Sequence, residues 1–285
     1  MNIRFRAKPF WLIAVLLLAL VLVSGCARNP STAFNEGIEF FSQGEYAEAA
    51  DVFERLGDYR QAPTYAAYSR GLVYFEQGDY LAAEPCFEKT QDFMYGKSRY
   101  AFCRAYRLES EGDYAQAAEL YAALGEFENS VQTGRYCEGR IAEEQQEYEA
   151  ALYAYAQAGQ HSDAAIRLEE LQYGIYTQAM GLKVEGITLL KETIEKNDTT
   201  NRVEAMEKLS QAFFYFTVLG DYYISAEQAV EVKSYIRDEE YVEAEALLAE
   251  GKTQEAYEAF LALSGYSDAE TRAEELAAQL GIGGE

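Results

Sequence analysis

The decapeptide from Gly44 to Phe53, GEYAEAADVF, decides how the rest of the chain is read, because it returns. It recurs as GDYLAAEPCF from Gly78 and GDYAQAAELY from Gly112, with a worn copy, QEYEAALYAY, from Gln146. Tyr46, Tyr80, Tyr114 and Tyr148 stand 34 residues apart, as do Ala49, Ala83, Ala117 and Ala151. A fixed period of this size is the mark of stacked helical pairs, each too thin to bury its own apolar face. Ala, Glu, Leu and Tyr dominate the chain, proline is scarce (4 in 285), and no alternating Val/Ile/Thr run occurs, so an all-α fold is expected.

Working outward from the decapeptide, each unit reads as a first helix, a turn at Gly44, Gly78 or Gly112, and a second helix opening at the tyrosine. Glycine at that turn can take the left-handed conformation that ends a helix. Ala49, Ala83, Ala117 and Ala151 allow close approach one turn into the second helix, and Phe53, Phe87, Tyr121 and Tyr155 fill the space beyond. The matching small column on the first helix is Gly37, Gly71, Ala105 and Gly139. Glycine costs about 1 kcal/mol in a helix interior, so its recurrence there implies a packing reason. The second helix ends in LGDY at Leu56, with related forms LGEF at Leu124, AGQH at Ala158 and LGDY at Leu219, and a shifted SGYSDA from Ser264. Tyr59, Phe93, Phe127 and His161, again at 34, can fold back on the helix just finished, and Ser267 with Glu270 reads as a capping box for the last helix.

Two small-residue columns, a turn glycine, an aromatic pair and a period of 34 resemble tetratricopeptide repeats. The family closes its units with a proline that is missing here. The resemblance implies a helical-hairpin superhelical solenoid, with four repeats over 32–181. Over 182–280 the period drifts, implying degenerate repeats and a capping helix. Gly181 opens a 35-residue echo with Lys183 in the tyrosine column and Gly186 in the alanine column, and Asn197-Asp198-Thr199-Thr200 reads as a turn before a helix ending near Leu219. GKTQEAYEAF from Gly251 restores the motif, about ten residues late, so a lengthened or broken helix is expected between Gly220 and Gly251. Residues 281–285 read as a disordered tail.

The N-terminus is basic (MNIRFRAK) and leads into 15 apolar residues from Pro9 to Val23, short of the ~20 that span a bilayer and so read as an export signal. The run ends in Val23-Ser24-Gly25-Cys26, which resembles the lipobox of bacterial lipoproteins. That resemblance implies a signal peptide over 1–25, Cys26 as the lipidated N-terminus, a linker to residue 31, and a protein anchored by acyl chains on the extracytoplasmic face of a bacterial membrane. In a host with two membranes, Ala27 after the cysteine resembles the sorting pattern for the periplasmic leaflet of the outer membrane. The formal charge is -24; the first 25 residues hold three bases and no acid, leaving 21 basic against 48 acidic residues in the body. A body that acidic is repelled by phosphates, which argues against nucleic acid and against lying on an anionic lipid surface.

No catalytic constellation emerges. His161 is the only histidine, too few for a triad or an imidazole metal site, and no phosphate-cradling glycine loop, HExxH or calcium loop occurs. Neither a metal nor a cofactor is expected. Cys86 and Cys103 are the one conceivable disulfide; small buried hydrophobes are the other reading of both. The pattern with functional promise is a first-helix column: Phe34, Tyr68, Phe102 and Tyr136, followed one turn on by Leu72, Tyr106 and Arg140. First helices line the concave surface of tetratricopeptide arrays, so the column is a candidate groove floor for a protein or peptide partner; the competing reading is that its rings fill the core. Expected is a non-catalytic, membrane-anchored interaction scaffold of the cell envelope, with a substrate-capture lipoprotein of a transport or assembly system as the alternative. Capture proteins need two α/β lobes, for which strands are lacking in the sequence pattern.

Overall fold

The computed structural model describes residues 29–196 and 201–282. The expected signal peptide, Cys26, the turn at 197–200 and residues 283–285 lie outside the described residues. Among the described residues there is no strand. Among the described residues thirteen helices follow one another: α1 (Pro30–Gln43), α2 (Tyr46–Leu56), α3 (Ala62–Glu76), α4 (Tyr80–Glu88), α5 (Gly96–Glu111), α6 (Tyr114–Leu124), α7 (Ser130–Glu144), α8 (Tyr148–Ala158), α9 (Ala164–Lys196), α10 (Arg202–Leu219), α11 (Ser225–Ala249), α12 (Thr253–Ala262) and α13 (Ala269–Leu280). They fall into two compact units, Met1–Cys137 and Glu138–Glu285, the division lying inside α7. In the first unit each helix from α1 to α6 packs on the next; in the second the same holds from α8 to α13, and α9 also touches α11.

Within a hairpin the chain reverses through one repeated turn. Gly44 sits in the left-handed conformation (φ 82°), its N–H reaching Phe41 O while the next N–H, of Glu45, reaches back to Phe40 O. The same two bonds recur at Gly78 with Asp79, Gly112 with Asp113, Gln146 with Glu147, and Gly251 with Lys252. This bond pair satisfies carbonyls that a helix end would otherwise orphan. Gln146 is the non-glycine in the series, at φ 59°. Asp79 and Asp113 then cap the second helix, their Oδ1 atoms accepting from the N–H groups of Ala82 and Gln116.

Between hairpins the chain runs through a seven-residue linker that occurs six times: LGDYRQA (56–62), TQDFMYG (90–96), LGEFENS (124–130), AGQHSDA (158–164), LGDYYIS (219–225) and LSGYSDA (263–269). In every copy the fourth N–H donates to the first carbonyl and the seventh N–H to the fourth carbonyl, at 2.8–3.3 Å. The fifth residue is left-handed each time (Arg60, Met94, Glu128, Ser162, Tyr223 and Ser267, φ 48° to 51°) although none is glycine. The seventh is small and buried: Ala62, Gly96, Ser130, Ala164, Ser225 and Ala269. At Gly96 a Cβ would stand 1.9 Å from the Thr90 carbonyl oxygen, so the space is set by backbone. The linker ring (Tyr59, Phe93, Phe127, His161, Tyr222 or Tyr266) is thereby fixed in register with the hairpin before it.

Several sequence expectations change. α1 begins at Pro30, inside what reads as linker, because Asn29 caps it by accepting from Ser31 N–H at 3.0 Å. No turn forms at Gly181: α9 continues for 33 residues, from Ala164 to Lys196. Gly186 is a first-helix glycine packed on Leu209, and Lys183, 7 % exposed, bonds Gln228 and Glu231 on α11. The surplus residues after Gly220 lengthen α11 to 25 uninterrupted residues. The capping box at Ser267 does not form; that residue is left-handed, and Asp268 at the cap position pairs with Tyr241 and Arg272. Cys86, Cys103 and Cys137 are in no disulfide, and burial pushes the Cys103 thiol up to about 12.

Candidate functional site

Most of the first-helix aromatic column is interior. Tyr68 and Phe102 are each 2 % exposed, and Tyr136 and Leu72 are 5 % exposed; Phe34, Tyr106 and Arg140 are half-buried. The cause is a ring triad repeated in the first three hairpins. Phe34, Tyr68 and Phe102 meet the second-helix ring nineteen residues on, Phe53, Phe87 and Tyr121, at 5.4–5.7 Å between centroids. They also meet the linker rings Tyr59, Phe93 and Phe127 at 5.2–6.0 Å. Tyr68 Oη accepts from Arg99 Nη1 at 2.8 Å, and its pKa is raised by burial against the opposing pull of that guanidinium. Tyr106 lies against Tyr80 at 5.0 Å, Tyr136 against Tyr114 at 6.3 Å, and Arg140 belongs to the second unit, where its charge acts on Tyr155. Of the seven residues named as a candidate groove floor, Tyr68, Leu72, Phe102 and Tyr136 are therefore core, while Phe34, Tyr106 and Arg140 keep part of their surface exposed.

The first helix carries no side chain, or in the third hairpin only the methyl of Ala105, where the second-helix ring arrives. A Cβ at Gly37 would meet Phe53 ring carbons at 2.8 Å, one at Gly71 would meet Phe87 at 2.9 Å, and one at Gly139 would meet Tyr155 at 2.6 Å. The small column serves the ring rather than the alanines of the facing helix. Where the ring is tyrosine it brings a hydroxyl that must be bonded. Tyr121 donates to Glu109 Oε2 at 3.0 Å and Tyr155 to Glu143, which also accepts from Arg167 Nη1 at 3.2 Å. Burial, then the neighbouring carboxylate, raises both tyrosine pKa values.

No group of three or more His, Cys, Asp and Glu side chains among the described residues could hold a metal ion. No helix of the described residues is long and apolar enough to cross a membrane.

A surface site absent from the sequence expectations lies in the second unit. Gln146, Glu147, Tyr148, Glu149, Ala150 and Tyr153, at the start of α8, and Phe214 of α10 line an open cleft of about 580 Å³. Tyr148 stacks edge-on with Tyr215 at 5.7 Å, and Tyr215 contacts Phe214 at 5.7 Å, so the cleft wall is braced from behind. Tyr153 is 61 % exposed and Phe214 is 53 % exposed. The repeats supply an internal control: the residues equivalent to Tyr153 are Asp51, Pro85 and Glu119, all solvent-facing. An aromatic ring at this position is not required to pack the hairpin. That column comparison is the signal in the sequence that points to Tyr153; Phe214 sits where the period has drifted and has no equivalent to be compared with.

No protein-family model matches the chain, and no curated protein matches it in sequence.

Proposed function

We propose that the chain is a non-catalytic, lipid-anchored scaffold or adaptor of the bacterial cell envelope, a solenoid of tetratricopeptide-like hairpins that holds a protein partner. One observation carries the reading: the same seven-residue linker, with the same two backbone bonds and the same left-handed fifth residue, occurs six times, five times between helical hairpins and once before α13. A fold assembled by repetition offers surface rather than a single enclosed site, and such arrays serve as binding platforms. The basic start, apolar run and Val23-Ser24-Gly25-Cys26 supply the anchor by resemblance to lipoproteins. The capture-lipoprotein alternative calls for α/β lobes, and no strand occurs among the described residues.

Two measurements test this. Metabolic labelling with a clickable palmitate analogue labels the native chain at the membrane and fails in Cys26→Ser; a protein that stays unlabelled ends the anchor. Crosslinking in intact cells, read by mass spectrometry, recovers a defined envelope protein; recovery of none ends the scaffold.

A further inference from the structure

The cleft of the second unit has a composition that selects its occupant. Its walls are aromatic, and the charged side chains lining it are Glu147 and Glu149, with no lysine or arginine among the lining residues. Neither carboxylate is drawn off elsewhere. Asp79 and Asp113, equivalent to Glu147, bond the N-terminal N–H groups of their helices, but Glu147 makes no such side-chain bond. Glu149 stands where the other repeats have Ala47, Leu81 and Ala115, so it is an acid added at this hairpin alone. The chain around the cleft is itself strongly acidic, which raises the local concentration of cationic segments and speeds their arrival. Left-handed backbone falls on Gln146, where Gly44, Gly78, Gly112 and Gly251 stand in the equivalent turns.

We propose, resting on the scaffold reading above, that this cleft docks a segment of a partner protein that pairs an aromatic or large aliphatic anchor with lysine or arginine. The anchor lies between Tyr153 and Phe214 and the cation faces Glu147 and Glu149. Aromatic faces add to the attraction for the cation. The anchor gives the contact its affinity, and the carboxylates give it its sign.

The test uses the full chain in detergent and a fluorescein-labelled peptide of alternating lysine and phenylalanine, with a second peptide in which each phenylalanine is alanine. Anisotropy titrations read the two affinities. The phenylalanine peptide binds about tenfold or more tightly than its equally charged twin. Tyr153→Glu and Phe214→Ser each reduce it to the level of the twin, with helical circular dichroism unchanged. Glutamate is what the third repeat carries at this position, in Glu119. It also makes the surface more acidic, so lost affinity for a cationic peptide cannot be blamed on charge. Equal affinity for both peptides overturns the proposal, as does a preference that survives both substitutions; either result leaves the scaffold reading in place. Self-association in analytical ultracentrifugation that Tyr153→Glu abolishes assigns the cleft to a second copy of the chain and also overturns it. Failure of the scaffold itself is read separately, by cellular crosslinking that recovers no partner from any surface position.

Discussion

The Tyr121 hydroxyl donates to Glu109 Oε2 at 3.0 Å across a step of twelve residues that, in the first two hairpins, has phenylalanine at both ends. The pairs run Phe41 with Phe53, Phe75 with Phe87, Glu109 with Tyr121, and Glu143 with Tyr155, so ring and partner change together. Phe75 and Phe87 are in edge contact at 5.9 Å. Two chemistries thus solve one packing problem: a phenyl ring met by another ring, or a phenol met by a carboxylate. A buried hydroxyl left unbonded costs more than a bonded one contributes, which forbids mixing them.

A double-mutant cycle on this pair follows directly. Glu109→Phe alone strips the acceptor from a tyrosine that is 1 % exposed, and it is expected to destabilise the fold by about 1–3 kcal/mol. Glu109→Phe with Tyr121→Phe rebuilds the arrangement of the second hairpin and costs less than the sum of the single changes, with a coupling of about 1 kcal/mol or more. Urea unfolding of the four proteins measures it; strict additivity would refute the pairing.

Alkaline pH attacks the same contact. Tyr121 and Tyr155 have pKa values raised above the ordinary 10.0 by burial and by Glu109 and Glu143. The folded state therefore keeps their protons after the unfolded chain begins to lose them. Their contribution to stability is fully present below pH 10 and declines as pH rises past it, because the unfolded state then binds fewer protons. Unfolding midpoints are expected to fall above about pH 10, and Tyr155→Phe should shallow that fall even though it weakens the protein at neutral pH.

The ring triad makes Phe102 a core residue, against its reading as groove floor. Phe102→Ala leaves a void among Phe75, Tyr80, Tyr121 and Phe127 and is expected to cost about 3–5 kcal/mol. Thermal unfolding followed by circular dichroism measures it. A variant as stable as the native chain would restore Phe102 to an open surface.

The period of 34 carried most of the architecture, because equivalent residues do equivalent work in stacked units: glycine turns, small columns and second-helix rings all stand where spacing puts them. Periodicity says which residues correspond and not which way they face. The column of Phe34, Tyr68 and Phe102 could therefore be counted correctly and still leave groove and core as competing readings. The left-handed fifth linker position was illegible for another reason. Arg60, Met94, Glu128, Ser162, Tyr223 and Ser267 share no chemistry, and the conformation is imposed by the two turns of backbone bonds that flank them. Gly181 misled because glycine at a repeat interval resembles a turn, whereas in α9 it is an ordinary helical residue. The cleft was half legible, in the aromatic that breaks the column Asp51, Pro85, Glu119.

Gln146 gives a stabilising prediction. It holds φ 59°, where the equivalent residues are Gly44, Gly78 and Gly112. A side chain in that region costs on the order of 1 kcal/mol that glycine avoids. Gln146→Gly is expected to raise the urea midpoint by a corresponding amount, and a loss of stability would mean that the side chain earns its place through contacts in the cleft.

The glycines of the helices divide into two kinds with opposite expected signs. At Gly71 a methyl group would stand 2.9 Å from the Phe87 ring and 3.0 Å from Cys86 Cβ, in a hairpin whose rings are already interlocked. Gly71→Ala must push a buried ring aside and is expected to cost about 1–3 kcal/mol, the range for overpacking. Gly174 and Gly181 have no heavy atom within 4 Å of such a methyl beyond their own stretch of helix backbone, and they carry no positive φ. Alanine at either should stabilise α9 by up to about 1 kcal/mol through helix propensity alone. Gly181→Ala separates the two readings of this region: a turn glycine with left-handed backbone would be destabilised by the same change that strengthens a continuous helix. A rise in the thermal midpoint of the second unit supports the uninterrupted helix, and a fall would return the chain break to Gly181.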